Sequence, residues 1–462
     1  MLSHRATSTA QQVLMVLLLG LCCCFPPVAI AEPTEVRLDN NNIAAAAPAV
    51  PETWSMSGQF TALRQSHPTF TAPYTGQNSL TPNSSSATTT DLTLFVGMRI
   101  WDGELWMNPE VDQGFGLSNT VGMAGYSSGE AYKVGANSPY LRLPRLFYRK
   151  VINLGGEEQA IEQATNQMSR TQSANNLILT IGKFSVTDVF DTNTYAHDPR
   201  SDFMNWSIVE SGAFDYAADA WGFTKGASIE WTQSRWTLRG GLFDLSTVPN
   251  SKNLDPKFSQ YEWVGEFEER YQLWGHPGKV RLLGFVNQGR MGSYVDALQL
   301  AKQTNTTPDT ALVRRFSSRP GVAINLEQEV FSDLGAFARA SMNNGSKEAF
   351  DFTDINQSIA AGLSLRGDRW GRHDDTFGFA AVANRLSSDA RNYFAGGGIG
   401  ILIGDGRLNY ASEKIMETYY AYSVPALDHL TLTLNYQYIV NPGYNQDRGP
   451  VNIFGVRVHK EF

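Results

Sequence analysis

Between Lys183 and Trp221 the chain crowds together groups that can hydrogen-bond: Lys183, Asp188, Asp191, Asn193, His197, Asp198, Arg200, Asp202, Asn205, Asp215 and Asp219, with Trp206 and Trp221 among them. Carboxylates accept hydroxyl protons, amides both donate and accept, guanidinium groups donate in a fixed fork, and an indole offers a flat apolar face. That is equipment for holding a hydroxylated solute weakly and reversibly. A second set could face it. Arg99 lies on the polar side of its segment, and Arg142 opens "RLPRLFYRK", where Arg145 and Arg149 share one side with Phe147 between them. Glu110 and Asp112 in "NPEVDQG" could pair with these cations, and Arg239 and Arg281 fall on the polar sides of later segments. Opposed acidic and basic walls would orient a neutral polyol through hydrogen bonds without strong net ion selectivity. Ordinary structural ion pairs would use the same residues.

Bond-making chemistry finds less support. Past the first thirty-one residues the histidines are His67, His197, His276, His373, His429 and His459, with no HExxH and no paired metal spacing. All three cysteines, Cys22 to Cys24, lie in the apolar N-terminal segment, so the remainder has neither a disulfide framework nor a thiolate metal site. The run "GGGIGILIGDG" lacks the lysine of a phosphate loop and opens no amphipathic helix, so it reads as a glycine-rich strand or turn. Ser is plentiful, so a Ser-His site stays conceivable, and a glycosidase would need one carboxylate held in an apolar pocket. No catalytic residue, metal ligand or cofactor is assigned.

Something must position the polar cluster, and the chain's organisation names it. Residues 1–31 carry Arg5, an apolar run from Val13 to Phe25 and Ala29-Ile30-Ala31 before Glu32, the layout of a cleaved signal peptide. Residues 32–52, rich in Ala, Asn and Pro, read as a flexible leader, and residues 53–462 as one domain. The 37 Lys and Arg against 45 Asp and Glu give −8, and removing 1–31, whose one charged residue is Arg5, leaves −9. Such an acidic chain is a poor nucleic-acid binder. Mean hydropathy is −0.27, and outside the signal no apolar run approaches the roughly 20 residues of a spanning helix.

Alternation runs through the domain. "DLTLFVGMRI" sets Leu92, Leu94, Val96, Met98 and Ile100 against Asp91, Thr93, Phe95, Gly97 and Arg99, and "HLTLTLNYQYIV" and "SIAAGLSLRG" behave alike. About sixteen such segments, each of about ten residues, predict an all-β, transmembrane antiparallel barrel. Aromatics near segment ends, among them Trp54, Trp101, Trp106, Trp231, Trp236, Tyr420, Tyr422 and Tyr438, would form interfacial girdles. The polar cluster at 183–221 is too irregular for lipid contact and suits a third loop folded into the lumen, where non-strand backbone is tolerated. "FGVRVHKEF" then reads as a closing strand, with Phe454, Val456, Val458 and Phe462 toward lipid and Gly455, Arg457, His459 and Glu461 toward the lumen. A soluble β-sandwich also alternates, but with shorter strands.

The last fifty residues, with "QYIVNPGYNQDRGP" and the closing strand in order, resemble the carbohydrate-selective porin family called OprB. "LWMNPEVDQGFGLSNTVGMAGYSSGEAYKVG", "GKFSVTDVFDTNTYAHDPRSDFMNW" and "GGGIGILIGDGRLNY" resemble its earlier strands and loops, so that the likeness covers Trp54 to Phe462. The resemblance implies a Gram-negative outer-membrane barrel of sixteen strands that passes small carbohydrates by diffusion, with loops narrowing the pore. Mono- or oligosaccharides would be the permeants, outer-membrane lipid the surroundings, and the barrel-assembly machinery a partner through the strand ending at Phe462. On this reading Arg99, Glu110, Arg145, Arg149, Lys183, Asp188, Asp191, Asn193, Asp202, Trp206, Asp219, Trp221 and Arg239 line the pore. A pore for organic acids or other small hydrophiles is the alternative, then a barrel enzyme or surface glycan-binding protein.

Overall fold

A computed structural model describes residues 52–351 and 353–462; the expected signal segment and the expected leader up to residue 51 lie outside them. Eight strands form the first half of the sheet: β1 (Trp54–His67), β2 (Ser85–Ile100), β3 (Gly103–Gly114), β4 (Ala136–Ile161), β5 (Arg170–Phe184), β6 (Thr224–Gln233), β7 (Trp236–Asp244) and β8 (Tyr261–Leu273). Eight more complete it: β9 (His276–Met291), β10 (Arg315–Phe331), β11 (Leu334–Asn343), β12 (Gln357–Gly367), β13 (Arg372–Arg385), β14 (Glu413–Ser423), β15 (Leu430–Val440) and β16 (Val451–Glu461). Each pairs antiparallel with its sequence neighbours, and β1 pairs with β16 to close the barrel. Gln59 stands opposite Glu461 and Ser66 opposite Phe454. Past the last register pair, Gly58 and Phe462 exchange both backbone hydrogen bonds, at 2.7 and 2.9 Å. No backbone edge is left for lipid to solvate, the condition a bilayer imposes on a sheet.

The period-2 pattern sorts the side chains as expected. Leu92, Met98, Leu432, Leu434, Phe454 and Val456 are exposed on the outer wall, whereas Asp91, Thr93, Thr433, Asn435 and Arg457 are buried inside. Among the described residues no helix is long and apolar enough to cross a membrane. Short turns such as Trp274–Gly275, both at positive φ (55° and 81°), join strands at one end, and the long connections gather at the other. Exposed Trp54, Trp101 and Trp274 ring the short-turn end. Trp106 does not join them. It points inward, 1% exposed, with its indole against Gly97 of β2 and its Nε1–H donating to Glu104 Oε2 at 3.0 Å. An aromatic near a strand end gives the same sequence signal on either face, and register alone decides.

The core lies within the barrel. Inward rings such as Phe147, Phe184, Phe243 and Phe285 pack against Phe190, Phe214 and Tyr216 of the connection 185–223, which therefore fills the lumen. The two longest helices among the described residues stand in the long connections: α1 (Tyr294–Thr304), capped by Ser293, and α2 (Ser388–Ala395), capped by Ser387. The glycine-rich run 396–406 is neither strand nor helix but a loop after α2. At the short-turn end the β4–β5 hairpin overshoots and folds back. Gly155 and Gly156, at φ 98° and 94°, take the left-handed backbone that this bend requires. Its tip reaches the inner wall, where Gln163 donates to Ser55 Oγ at 2.7 Å and Arg149 donates to the Asn166 carbonyl at 2.8 Å.

Candidate functional site

A loop within a barrel buries backbone N–H groups that need partners, and strand carboxylates facing inward supply them. Glu266 accepts from Asp191 N (2.8 Å), Glu327 from Thr194 N and Oγ1 (both 2.9 Å), and Glu417 from Met204 N and Asn205 N (2.6 and 2.9 Å). Arg457 of the closing strand donates to the carbonyls of Pro199, Ser201 and Asp202. Connection 185–223 is thus sewn to β8, β10, β14 and β16. It leaves room for a cavity of about 200 Å³ against β4 and the connection 115–135.

A β-bulge builds one wall of this cavity. Asn108 pairs with Arg145 and Glu110 with Arg142, so β4 carries one residue more than β3 across this stretch. Pro144 sits inside the bulge, where its missing N–H is tolerated. Strict alternation from the outward Leu141 would turn Arg145 outward; the extra residue puts both Arg142 and Arg145 inside. Arg145 forms a bidentate pair with Asp188 through Nε (2.8 Å) and Nη2 (2.6 Å). Arg142 holds Glu110 at 2.5 Å and also Asp112. Opposite them Arg200 lies 3.1 Å from Glu130, 3.5 Å from Asp91 and 3.7 Å from Glu110. Trp221 and Phe223 form an aromatic shelf, with the Arg142 guanidinium 5.2 Å from the Phe223 ring and 5.8 Å from that of Trp221. The Trp221 indole N–H donates to the Tyr140 hydroxyl at 3.2 Å, which fixes the ring.

Charge in the loops follows these contacts. Burial works to raise the Asp188 carboxyl, but the Arg145 guanidinium outweighs it and holds Asp188 below the usual carboxylate range. Asp198 is likewise depressed, burial being outweighed by Arg200. Burial, helped by the Arg339 cation, lowers His197 and keeps it neutral at pH 7. Burial pushes Glu130 well above its ordinary value despite Arg200.

Of the residues expected to line a pore, the cavity brings together Arg145, Asp188, Trp206 and Trp221. Glu110 lies directly beneath, wholly buried, accepting from Thr93 at 2.6 Å. Asp191, Asn193, Asp202 and Asp219 are used within or under the loop: Asp191 accepts from Ser211, Asn193 donates to Asn325, Asp202 accepts from His197 N and Asp198 N, and Asp219 from Trp221 N. Arg99 and Arg149 stand at the far, short-turn end, donating to the carbonyls of Ser169 and Asn166. Arg239 belongs to a wall network with Glu230, Glu266 and Glu268. Lys183 pairs in register with Leu146, on the outward face it shares with Ile181, and its ammonium lies 3.3 Å from Asp219. Glu130, Tyr140 and Phe223 are members the sequence expectation omitted. Glu130 stands in the quoted "YSSGEAYKVG", but nothing local ties it to Arg200.

Gly125-Tyr126-Ser127-Ser128-Gly129 has the spacing of a hydrolase nucleophile elbow, yet it runs through a loop rather than from strand to helix. Its Ser127 hydroxyl donates to Gln65 Oε1 at 2.8 Å. Among the described residues no cluster of three potential metal ligands occurs. What the cavity offers is a set of charged but internally paired donors and acceptors beside a ring face.

The model of a protein family described as carbohydrate-selective porin, OprB family, matches residues 77–462. Comparison with curated proteins gave no match. Among solved structures, Pseudomonas putida OprB overlays with a TM-score of 0.67 at 14% identity, covering 89% of this chain and 94% of that one. The Acinetobacter baumannii channel DcaP (TM-score 0.44, 12% identity, 88% and 97% covered) and a BenF-like porin from Pseudomonas fluorescens Pf-5 (0.46, 8%, 89% and 99%) overlay more loosely.

Proposed function

The chain belongs to the carbohydrate-selective porin family, OprB, an outer-membrane barrel class, and from that premise we propose that sugars cross through the cavity bounded by Arg142, Arg145, Asp188, Asp198, Arg200 and Trp221. The observation that carries this is the pairing of every cavity arginine with a carboxylate beside an aromatic shelf. An arginine has five N–H donors and a carboxylate about four acceptor sites, so a bidentate pair keeps capacity for hydroxyls at its edges. Sugar hydroxyls then replace water at the pair, and the apolar side of the ring rests on Trp221. Because each such exchange nets little free energy, binding stays weak enough for release, as conduction requires.

The barrel works as a channel rather than an enzyme, with permeants moving down their gradient. Organic acids are the lesser reading: guanidiniums that already hold carboxylates offer a free anion no net attraction. Residues 1–31 act as the export signal in a Gram-negative-type cell, lipid surrounds the apolar belt, and the closing strand with Phe462 is what the assembly machinery handles. The test is conductance of the detergent-purified mature protein in a planar bilayer, titrated with mono- and disaccharides and then with organic anions. Steady current blocked by sugars is expected. Block by anions alone would transfer the substrate class, and silent inserted protein would end the porin reading.

A further inference from the structure

The lipid-facing wall changes character at the long-connection end, the cell-surface end of an outer-membrane barrel. The outward row of β9 runs from exposed Leu282 through Val286 and Gln288 to exposed Arg290. That of β13 runs from Phe377 and Phe379 through Ala381 and Ala383 to exposed Arg385, and on β14 exposed Lys414 stands just past Met416. Register joins these ends into an arc. Arg290 lies opposite exposed Phe316 of β10, next to exposed Arg315, and Gln288 lies opposite Ser318. The Ser318 carbonyl accepts from the Lys347 ammonium at 3.2 Å. Among the described residues Arg290, Lys347, Arg385 and Lys414 have no carboxylate partner, whereas Arg315 has Asp296 at 2.8 Å. Lys183, also outward at the outer end of its strand, is answered by Asp219 at 3.3 Å. Burial, and next the Arg319 and Arg315 cations, lowers the Lys347 ammonium, so like charges face one another here. A chain whose net charge is −8 thus turns a basic arc toward the membrane surface.

We propose that this arc binds the phosphate groups of the acylated, phosphorylated sugar lipid of the outer leaflet, whose chains lie along the apolar rows beneath. Guanidinium and ammonium groups pair with phosphate through charge-assisted hydrogen bonds. Cations at headgroup level that the protein leaves unneutralised draw anionic lipid to them. Arg290 and Lys414 are separated by five strand spacings of about 4.8 Å, so the arc runs about 24 Å. Leu282, Val322, Ile359 and Phe379 cover that width with exposed apolar surface. A lipid with several chains and two phosphates fits this span, whereas a two-chain phospholipid covers part of it. The site is independent of what the pore carries.

The test is native mass spectrometry of the detergent-purified mature protein, titrated with diphosphorylated lipid A, dephosphorylated lipid A and phosphatidylglycerol. Diphosphorylated lipid A is expected to bind at least about tenfold more tightly than either of the others, and excess inorganic phosphate leaves it bound. The triple variant Arg290→Gln, Arg385→Gln, Lys414→Gln lowers that affinity more than about twentyfold. Arg366→Gln, which removes an exposed cation at the short-turn end, changes it less than about twofold. If the triple variant fails to fold, Arg290→Gln alone lowers affinity about fivefold. Equal affinity for phosphorylated and dephosphorylated lipid A, or an equal loss in the Arg366 variant, would overturn the site. Displacement by inorganic phosphate would overturn the lipid as its occupant.

Discussion

Asp188 shows how one contact sets a residue's working range. Its carboxylate is fixed by two hydrogen bonds from Arg145 and one from Ser185 N, and it caps the short turn Val186–Asp188 at the entry of the inward connection. The folded state binds its proton less readily than the unfolded chain does. The pair's contribution is therefore fully present above the ordinary Asp value of about 3.9 and is lost as pH falls through the lower folded value. The Asp188–Arg145 share of sugar block should then hold from neutral pH to about pH 5 and decline only in stronger acid, so that a change at higher pH, read as block against pH, belongs to Glu130, whose carboxyl burial pushes up. Arg145→Ala leaves Asp188 charged and unpaired on the cavity wall. It should weaken sugar block by roughly threefold to tenfold, since hydrogen bonds to charged groups are worth about 1.5–3 kcal/mol and part of that returns through water. Unchanged block in that variant would remove Arg145 from the binding surface.

At the scale of elements, the bulge in β4 lets a strand with one extra residue keep both arginines inside. Deleting Leu143 removes that residue and restores simple alternation, with Arg142 still opposite Glu110 and Arg145 still opposite Asn108 on the inner face. Arg142→Ala is the harsher change, because Glu110 and Asp112 then lose their cation inside. A buried charge stripped of its partner costs about 3–5 kcal/mol. The expected outcome is that Arg142→Ala loses the folded, heat-modifiable form on electrophoresis, whereas the Leu143 deletion retains it. The connection 185–223 obeys similar logic. Its course follows from where Glu266, Glu327, Glu417 and Arg457 stand on four separated strands.

For the whole molecule, the consequence of paired walls is electrical. The inner cavity sets Arg142, Arg145 and Arg200 against Glu110, Asp112, Asp188 and Glu130, and the opposite wall sets Arg239, Arg270, Lys279 and Arg281 against Glu230, Glu266, Glu268 and Glu327. Neither sign dominates the path, so the open channel should show a reversal potential near zero in a salt gradient. A strongly cation- or anion-selective potential would mean that these pairs do not line the current path.

The amino-acid order by itself determined the barrel. Lipid on one side and polar lumen on the other force a period of two, and "HLTLTLNYQYIV" and "FGVRVHKEF" carry that period in a series of about sixteen segments. It also determined that the polar chemistry of 183–221 had to sit off the lipid surface. Tertiary structure alone decided which of those groups meet. Asp188 and Trp221 reach the cavity while Asp191 and Asn193 are used up holding backbone and Asn325. Lys183 points outward, Trp106 inward, and Arg142 joins Arg145 because of one extra residue. Alternation is a local property, legible residue by residue. Hydrogen-bond partners more than a hundred positions apart, such as Asn205 with Glu417, are set by closure of the sheet and leave no local trace.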